Sequence, residues 1–221
     1  MSPIRALVFD FDGLVVDTES PAYISWQEIY SEHGHELKMA AWADAIGTVD
    51  GFDPVSHLER LCGARLDRAA VTARRRERKL ELSAREPLRP GVRAYLEDAP
   101  RFGIAAAIAS SDTSDWVWGH LTRLELTEGW AAVECADGDS GIAKPAPHLY
   151  EAVLERLGVE AGEAIALEDS PNGIAAAKAA GLFCAAVPNP VTVNLRLFDA
   201  DIVLPSLEAM PLGDLIEHVD T

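Results

Sequence analysis

The sequence predicts an α/β fold, with a doubly wound, mostly parallel sheet and a helical subdomain inserted after its first strand. Three observations lead to this prediction. Short apolar runs recur along the chain with helical patterns between them, an alternation typical of parallel sheets. Several of these runs end in acidic or hydroxyl side chains. Residues 17–87, by contrast, contain no strand pattern.

The first strand is predicted at Ile4 to Phe9, because this run is too apolar for a strand with one face in water. Asp10 and Asp12 follow it, and Gly13 lets the backbone turn and approach a ligand closely. Two neighbouring carboxylates repel each other, and a divalent cation is the usual compensation. The Asp12-Gly13 pair by itself also fits an ordinary turn.

Four helices are predicted in the insert. Thr18 is the expected N-cap of the first helix, which ends at Gly34. The other three are predicted at 38–46, 54–62 and 66–84. We therefore expect a core made of residues 1–16 and 88–221, and a separate helical subdomain of residues 17–87.

The last helix of the insert is basic in an otherwise acidic chain. The residues concerned are Arg74, Arg75, Arg76, Arg78 and Lys79. A solvated helix face paired with neighbouring acids is the favoured interpretation. The alternative is an electropositive lip that attracts an anionic substrate.

After residue 90 the pattern changes to alternating helices and strands. A helix is predicted at 90–102, although Pro100 should distort its last turn. Strands are predicted at 104–109, 131–135, 164–167, 183–187 and, at the sheet edge, 202–204. Helices connect them, and one more helix follows the last strand.

Polar side chains are expected to gather at one edge of this sheet, because parallel strands share their C-terminal edge. They are Asp10, Asp12, Ser110, Glu168 and Asp169, joined by Lys144 from a loop or helix start. Carboxylates are the hard oxygen ligands that Mg²⁺ takes, and no His/Cys cluster indicates zinc. This set of groups suits phosphoryl transfer.

Composition restricts the partners. A formal net charge of -17 disfavours nucleic acid and anionic membrane surfaces, but a local cation still allows a small phosphate ester to bind. The three scattered cysteines indicate reduced thiols in a cytoplasmic protein. No apolar run approaches ~18 residues, so neither a signal peptide nor a membrane span is expected. The sequence leaves the oligomeric state open, and a monomer is expected.

Four motifs in order give the chain a clear resemblance to a known family. They are Asp10-Phe11-Asp12-Gly13, Ser110 after an apolar strand, Lys144-Pro145-Ala146-Pro147 and Leu167-Glu168-Asp169-Ser170. Over nearly its whole length the chain resembles the haloacid dehalogenase superfamily, in the branch that includes phosphatases and β-phosphoglucomutase. The inserted helices correspond to that family's mobile cap.

The resemblance implies a Mg²⁺-dependent phosphatase that hydrolyses a small phosphate monoester, such as a sugar phosphate, through an aspartyl-phosphate. Asp10 would be the nucleophile, and Asp12 would transfer protons to the leaving group and from water. Phosphate would be bound by Ser110, Ser111 and Lys144. The metal ligands would be Asp10, the main-chain carbonyl of Asp12, Asp169 and, directly or through water, Glu168.

A β-phosphoglucomutase-type mutase is the main alternative, and two positions count against it. Ala22 stands where those mutases have a histidine, and Asp50 stands where they have an arginine for the second phosphate. Asp50 would repel a second phosphate if it faces the site, but it also fits a simple loop residue.

Other family activities fit less well. A dehalogenase needs neither Asp12 nor the Glu168-Asp169 pair, and a phosphonatase would need a cap lysine in a recognisable context. A fold kept as an inactive binding module remains a non-enzyme alternative. That alternative predicts the loss of Asp10, Asp12 or Lys144, and all three are present.

Overall fold

A parallel sheet lies at the centre of the computed structural model, which describes residues 4–43, 52–195 and 197–219. In these ranges its six strands are β1 (Ala6–Phe9), β2 (Ala105–Ser110), β3 (Trp130–Cys135), β4 (Ala164–Glu168), β5 (Phe183–Ala186) and β6 (Ile202–Val203). Their order is β3-β2-β1-β4-β5-β6, and every pairing is parallel. The strand order reverses at β1, and ligands bind at such a switch point in open α/β sheets.

Helices occur in two groups, one in the insert and one around the sheet. The insert contains α1 (Glu19–Glu32), α2 (Met39–Ala43), α3 (Pro54–Cys62) and α4 (Arg68–Ser83). The second group is α5 (Val92–Asp98), α6 (Ser114–Arg123), α7 (His148–Leu157), α8 (Pro171–Ala179) and α9 (Leu212–Val219). Short 3₁₀ helices lie at Ala99–Phe102, Ala161–Glu163 and Leu207–Ala209.

Both faces of the sheet are covered, which explains why β1 has no polar residue. Leu7 and Phe9 belong to an apolar cluster with side chains of α5, α6 and α9. Ala6 and Val8 belong to a second cluster with side chains of α7 and α8. All four β1 side chains are fully buried. The predicted doubly wound α/β class is therefore confirmed.

The helical insert has an apolar core of its own. Trp26, Tyr30 and Leu58 are buried in a cluster formed mainly by α1, α2 and α3. The chain leaves and re-enters the sheet at one place, where Val16 forms an antiparallel bridge with Leu88. The division into two domains at residues 16/17 and 87/88 stays a prediction.

Two local predictions need correction. At 90–102 a single helix was expected, but α5 ends at Asp98 and a 3₁₀ helix follows, because Pro100 has no N–H to continue the α-helical pattern. Thr18 stands at the N-cap of α1 without making a side-chain cap bond. Asp17 takes that role, since its Oδ1 accepts from Ser20 N at 2.9 Å.

Within the described ranges, no helix combines the length and the apolar character needed to cross a bilayer.

Candidate active site

Asp10 lies just beyond β1, and its backbone N–H continues the sheet by donating to the carbonyl of Leu167 at 2.9 Å. Its Oδ1 accepts from Lys144 Nζ at 2.5 Å, and the same ammonium donates to Glu168 Oε1 at 2.6 Å. These three side chains are less than a tenth exposed. The structure thus brings together a carboxylate, an ammonium and a second carboxylate from three distant parts of the chain.

The buried cluster contains more carboxyl groups than ammonium groups. Carboxylate oxygens of Asp10, Glu168 and Asp169 lie within 4.8 Å of one another, and Lys144 is the ammonium among them. Burial raises the pKa of Asp10 to about 8, with Lys144 opposing and Glu168 adding to the effect. Burial and the same neighbouring carboxylates raise the pKa of Asp169 well above its usual value.

A divalent cation fits this cluster. The donors are hard carboxylate oxygens, the type that Mg²⁺ binds. With all groups ionised, three carboxylates face one ammonium, so a divalent ion would balance the charge. Burial alone would lower the pKa of Lys144, but the carboxylates of Asp10 and Glu168 outweigh it and raise that pKa. Lys144 therefore stays charged.

Because the pKa of Asp10 is raised, we expect the metal-free protein to lose stability as the pH rises. An Asp10 pKa near 8, above the ordinary 3.8, means that the native state holds a proton that the unfolded state has lost. The free energy of unfolding should then fall between about pH 5 and pH 8. Thermal melts in EDTA should show this fall, and Mg²⁺ should reduce it. Asp10→Asn is the control, and an unchanged slope in EDTA for that variant would contradict the explanation.

Both carboxylates at the end of β4 are held by side chains that were not predicted. Tyr150 donates to Glu168 Oε1 at 2.5 Å, and the backbone N–H of Asp169 donates to Glu168 Oε2 at 3.2 Å. Asn189 Nδ2 donates to Asp169 Oδ2 at 2.6 Å. Tyr150 is fully buried on α7, and nothing in the sequence marks Tyr150 or Asn189 as a neighbour of these carboxylates.

Arg89 holds the loops around the cluster. Its guanidinium donates to the carbonyl oxygens of Val187 at 3.1 Å and Pro188 at 2.7 Å, and also to that of Gly13. These carbonyls belong to the turn after β1 and the segment after β5. One side chain thus ties together the two loops that carry Asp12 and Asn189.

Asp12 lies beside Asp10 but outside the cluster of three carboxylates. Its Oδ1 accepts two hydrogen bonds, one from Thr18 Oγ1 at 2.6 Å and one from Trp116 Nε1 at 2.8 Å. No described residue donates to Oδ2. The two carboxylates of the first motif therefore have different surroundings, which suits two different chemical roles.

Of the two predicted phosphate-binding serines, one is buried and the other lines the cavity. Ser110 is buried, and its hydroxyl oxygen accepts from the backbone N–H of Asp112 at 3.1 Å. Ser111 faces the cavity, and its hydroxyl oxygen accepts from the backbone N–H of Lys144 at 3.1 Å. Asp50, the predicted cap contact, lies outside the described residues.

A cavity of about 280 Å³ opens above Asp10. Its lining residues are Asp10, Asp12, Glu19, Lys79, Ser111, Asp112, Lys144, Asp169, Ser170 and Asn172. Glu19 and Lys79 come from α1 and α4, so the helical insert forms part of the wall.

Some basic residues of α4 form a solvated helix face, and another contributes positive charge at the cavity. Arg74 pairs with Glu32, and Arg78 pairs with Glu28 at 2.7 Å, as expected of a solvated helix face. Lys79 instead lines the cavity, which fits the alternative. Helical spacing separates Arg74 and Arg78 from Lys79, but only the packing of α4 against α1 decides which face meets the site.

Comparison with known proteins places the chain in a family. The family model described as haloacid dehalogenase-like hydrolase matches residues 4–181. The chain belongs to the haloacid dehalogenase-like hydrolases. The resemblance seen in the four motifs is confirmed, as is the expectation of an enzyme of the hydrolase class.

Relatives of this haloacid dehalogenase-like hydrolase match nearly end to end. "Putative phosphatase YhcW" of Bacillus subtilis is 43% identical, covering 99% of both chains. "Hexitol phosphatase B" of Escherichia coli is 30% identical, covering 96% of this chain and 97% of its own. The crystal structure of CbbY from Rhodobacter sphaeroides in complex with phosphate is 28% identical, covers 92% of this chain and 95% of its own, and superposes with a TM-score of 0.72.

Proposed function

We propose that this chain is a phosphoric monoester hydrolase that depends on Mg²⁺ and cleaves small phosphate esters, such as sugar phosphates, through a phosphorylated Asp10. The observation that carries the proposal is the buried ion pair between Asp10 and Lys144, 2.5 Å apart beneath a cavity that Asp12 also lines. A fixed, desolvated carboxylate beside a second, separately held one suits covalent catalysis with proton transfer. The phosphatase names of two relatives support the same class.

In the first half of the reaction, a carboxylate oxygen of Asp10 attacks phosphorus and forms an acyl phosphate. The bond from phosphorus to the leaving oxygen breaks, and that oxygen takes the proton held by Asp12. In the second half, water attacks the same phosphorus and gives its proton to Asp12. The bond to Asp10 then breaks, and inorganic phosphate leaves with both aspartates restored.

Asp10 and Asp169 would hold the metal directly, together with the main-chain carbonyl of Asp12. When bound, Mg²⁺ supplies positive charge that offsets the phosphoryl oxygens and the buried carboxylates. Glu168 would act on the metal indirectly, because its oxygens already accept from Lys144, Tyr150 and the N–H of Asp169. Lys144 orients Asp10 and neutralises charge, and Ser110 and Ser111 would bind the phosphoryl oxygens.

The cavity wall beyond the phosphate position favours a leaving group rich in hydroxyls. Glu19, Asp112 and Asn172 offer acceptors and an amide there, while Lys79 adds one cation. Two carboxylates disfavour a second phosphate in the same space. We therefore propose monophosphates of sugars or polyols as substrates and expect bisphosphates to be poor ones, with hydrolysis preferred to mutase activity.

The test is phosphate release from a panel of esters in Mg²⁺ and in EDTA. The wild type should release phosphate from sugar monophosphates only with Mg²⁺. Asp10→Asn should lower the rate by at least about 10³-fold, because the nucleophile is lost. Lys178→Met removes a surface ion pair with Asp201. Its rate should stay within about twofold of the wild-type rate, so it controls for effects of substitution and purification that are unrelated to the site.

Other outcomes would point elsewhere. Conversion of β-glucose 1-phosphate to glucose 6-phosphate with a trace of bisphosphate, without phosphate release, would favour the mutase. If neither assay detects turnover, the alternative of an inactive binding module would be favoured. A cytoplasmic location is part of the proposal and is supported by the three free cysteines; a monomeric state and the absence of nucleic acid and membrane partners stay predictions.

A further inference from the structure

Trp116 is a half-buried residue that packs against the core, and its polar atom points at the site. It lies in the first turn of α6, where its backbone N–H donates to Thr113 Oγ1 at 3.3 Å. This turn directly follows the C-terminal edge of β2, so the indole reaches across to Asp12. Its Nε1 donates to Asp12 Oδ1 at 2.8 Å, a contact between residues 104 positions apart in the chain.

The indole contacts two further side chains. The ring of His120 meets it edge-on, with centroids 4.3 Å apart. His120 is neutral near pH 7, because burial and the nearby Arg123 lower its pKa to about 4, and its Nδ1 accepts from Arg123 Nε at 2.9 Å. Lys79 Nζ also lies 4.9 Å from the indole centroid, a distance that suits a cation–π contact.

Both hydrogen bonds to Asp12 end on one oxygen. Thr18 Oγ1 and Trp116 Nε1 donate to Oδ1 at 2.6 and 2.8 Å, while Oδ2 accepts from no described residue. An oxygen with two donors is poorly placed to carry a proton. The other oxygen is left for exchange with a substrate or with water.

We propose that Trp116 is a positioning residue that, together with Thr18, holds Asp12 by Oδ1 and leaves Oδ2 as the oxygen that gives the proton to the leaving group and takes it back from water. This inference rests on the proposed function, since it assigns an atom to the acid of that reaction. Lys79 brings the helical insert into contact with the same indole, so α4 supports the residue that orients the acid.

The test compares esters whose leaving groups need the acid to different degrees. Phenyl and p-nitrophenyl phosphate are close in size, but phenolate is much the more basic leaving group and depends more on protonation. A sugar phosphate that the wild type cleaves depends on it most. The ratio kcat/KM reports the steps up to departure of the leaving group, so it isolates the acid step.

Trp116→Phe keeps the ring under Lys79 and removes only the N–H donor with part of the indole. We expect kcat/KM to fall by about 10- to 100-fold for the sugar phosphate, by less for phenyl phosphate, and by less than about threefold for p-nitrophenyl phosphate. Trp118→Phe, on the exposed side of the same helix, should change none of these values by more than about twofold. A merely structural role for Trp116 would lower kcat/KM by the same factor for all three esters.

Thr18→Val removes the second donor to the same oxygen and predicts the same selective loss, so the inference remains testable if Trp116→Phe does not fold. Equal losses on all three esters, with turnover that still requires Asp10, would overturn the positioning role and leave the proposed function intact. No turnover by the wild type, or turnover that survives Asp10→Asn, would overturn the proposed function and this inference with it.

Discussion

Replacing Lys144 with methionine should remove activity and strongly destabilise the metal-free protein. The side chain becomes one atom shorter and loses the ammonium that contacts both Asp10 and Glu168 in the buried cluster. Leaving buried carboxylates without their cation costs about 3–5 kcal/mol of unfolding free energy. Loss of a fixed charge beside the reacting phosphoryl group should lower kcat by at least about 10²–10³-fold.

The stability loss should be larger in EDTA than in Mg²⁺, because a bound divalent ion replaces part of the missing positive charge. Denaturant unfolding under both conditions measures this difference. Lys178→Met is the matched control, since its ammonium pairs with Asp201 at the surface and should contribute no more than about 1 kcal/mol. Equal losses for the two lysine variants would show that Lys144 does not carry the charge balance of the cluster.

Replacing Gly173 with alanine should have the second large effect. Gly173 lies in the first turn of α8, and a Cβ at that position would overlap the carboxylate of Glu168. Glu168 is fully buried and held by Lys144 and Tyr150, so it has little room to yield. Overpacking of this kind costs about 1–3 kcal/mol, and moving the groups around Asp10 by about 1 Å can lower the rate by about 10²-fold.

Gly119→Ala makes the same change in α6, where the added Cβ meets nothing within 4 Å. That variant should be more stable than the wild type by about 0.5–1 kcal/mol and equally active. Melting temperatures and kcat for the two alanine variants check the prediction. A fully active Gly173→Ala would mean that Glu168 moves freely and does not fix Lys144.

The sequence predicted the sheet and its acidic edge because both depend on local patterns. Buried parallel strands are apolar throughout, and their shared direction brings Asp10, Ser110 and Asp169 to one edge without knowledge of the packing. Lys144 was different, since a lysine in a loop has no such constraint, and only the resemblance to a family gave it a role.

Other residues of the site could not be predicted because their roles depend on orientation between distant segments. Trp116 packs half-buried against the core from α6, but helical spacing does not indicate where an indole N–H points. Thr18 was expected to cap α1, yet Asp17 offered a stronger acceptor for that turn and the hydroxyl turned to Asp12. Lys79 lines the cavity from α4, which packs against α1, and helical spacing alone does not reveal that packing.

The bridge between Val16 and Leu88 brings the two ends of the helical insert together. Departing and returning backbones run side by side there, with Arg89 N donating to the carbonyl of Val15 at 3.0 Å, so a short turn would suffice to close the chain without residues 17–87. Removal of residues 17–87 would leave every strand in place, together with the side chains of Asp10, Lys144 and Asp169. We therefore expect that other helices could be exchanged at this junction, which would change the entrance to the site and keep the residues beneath it.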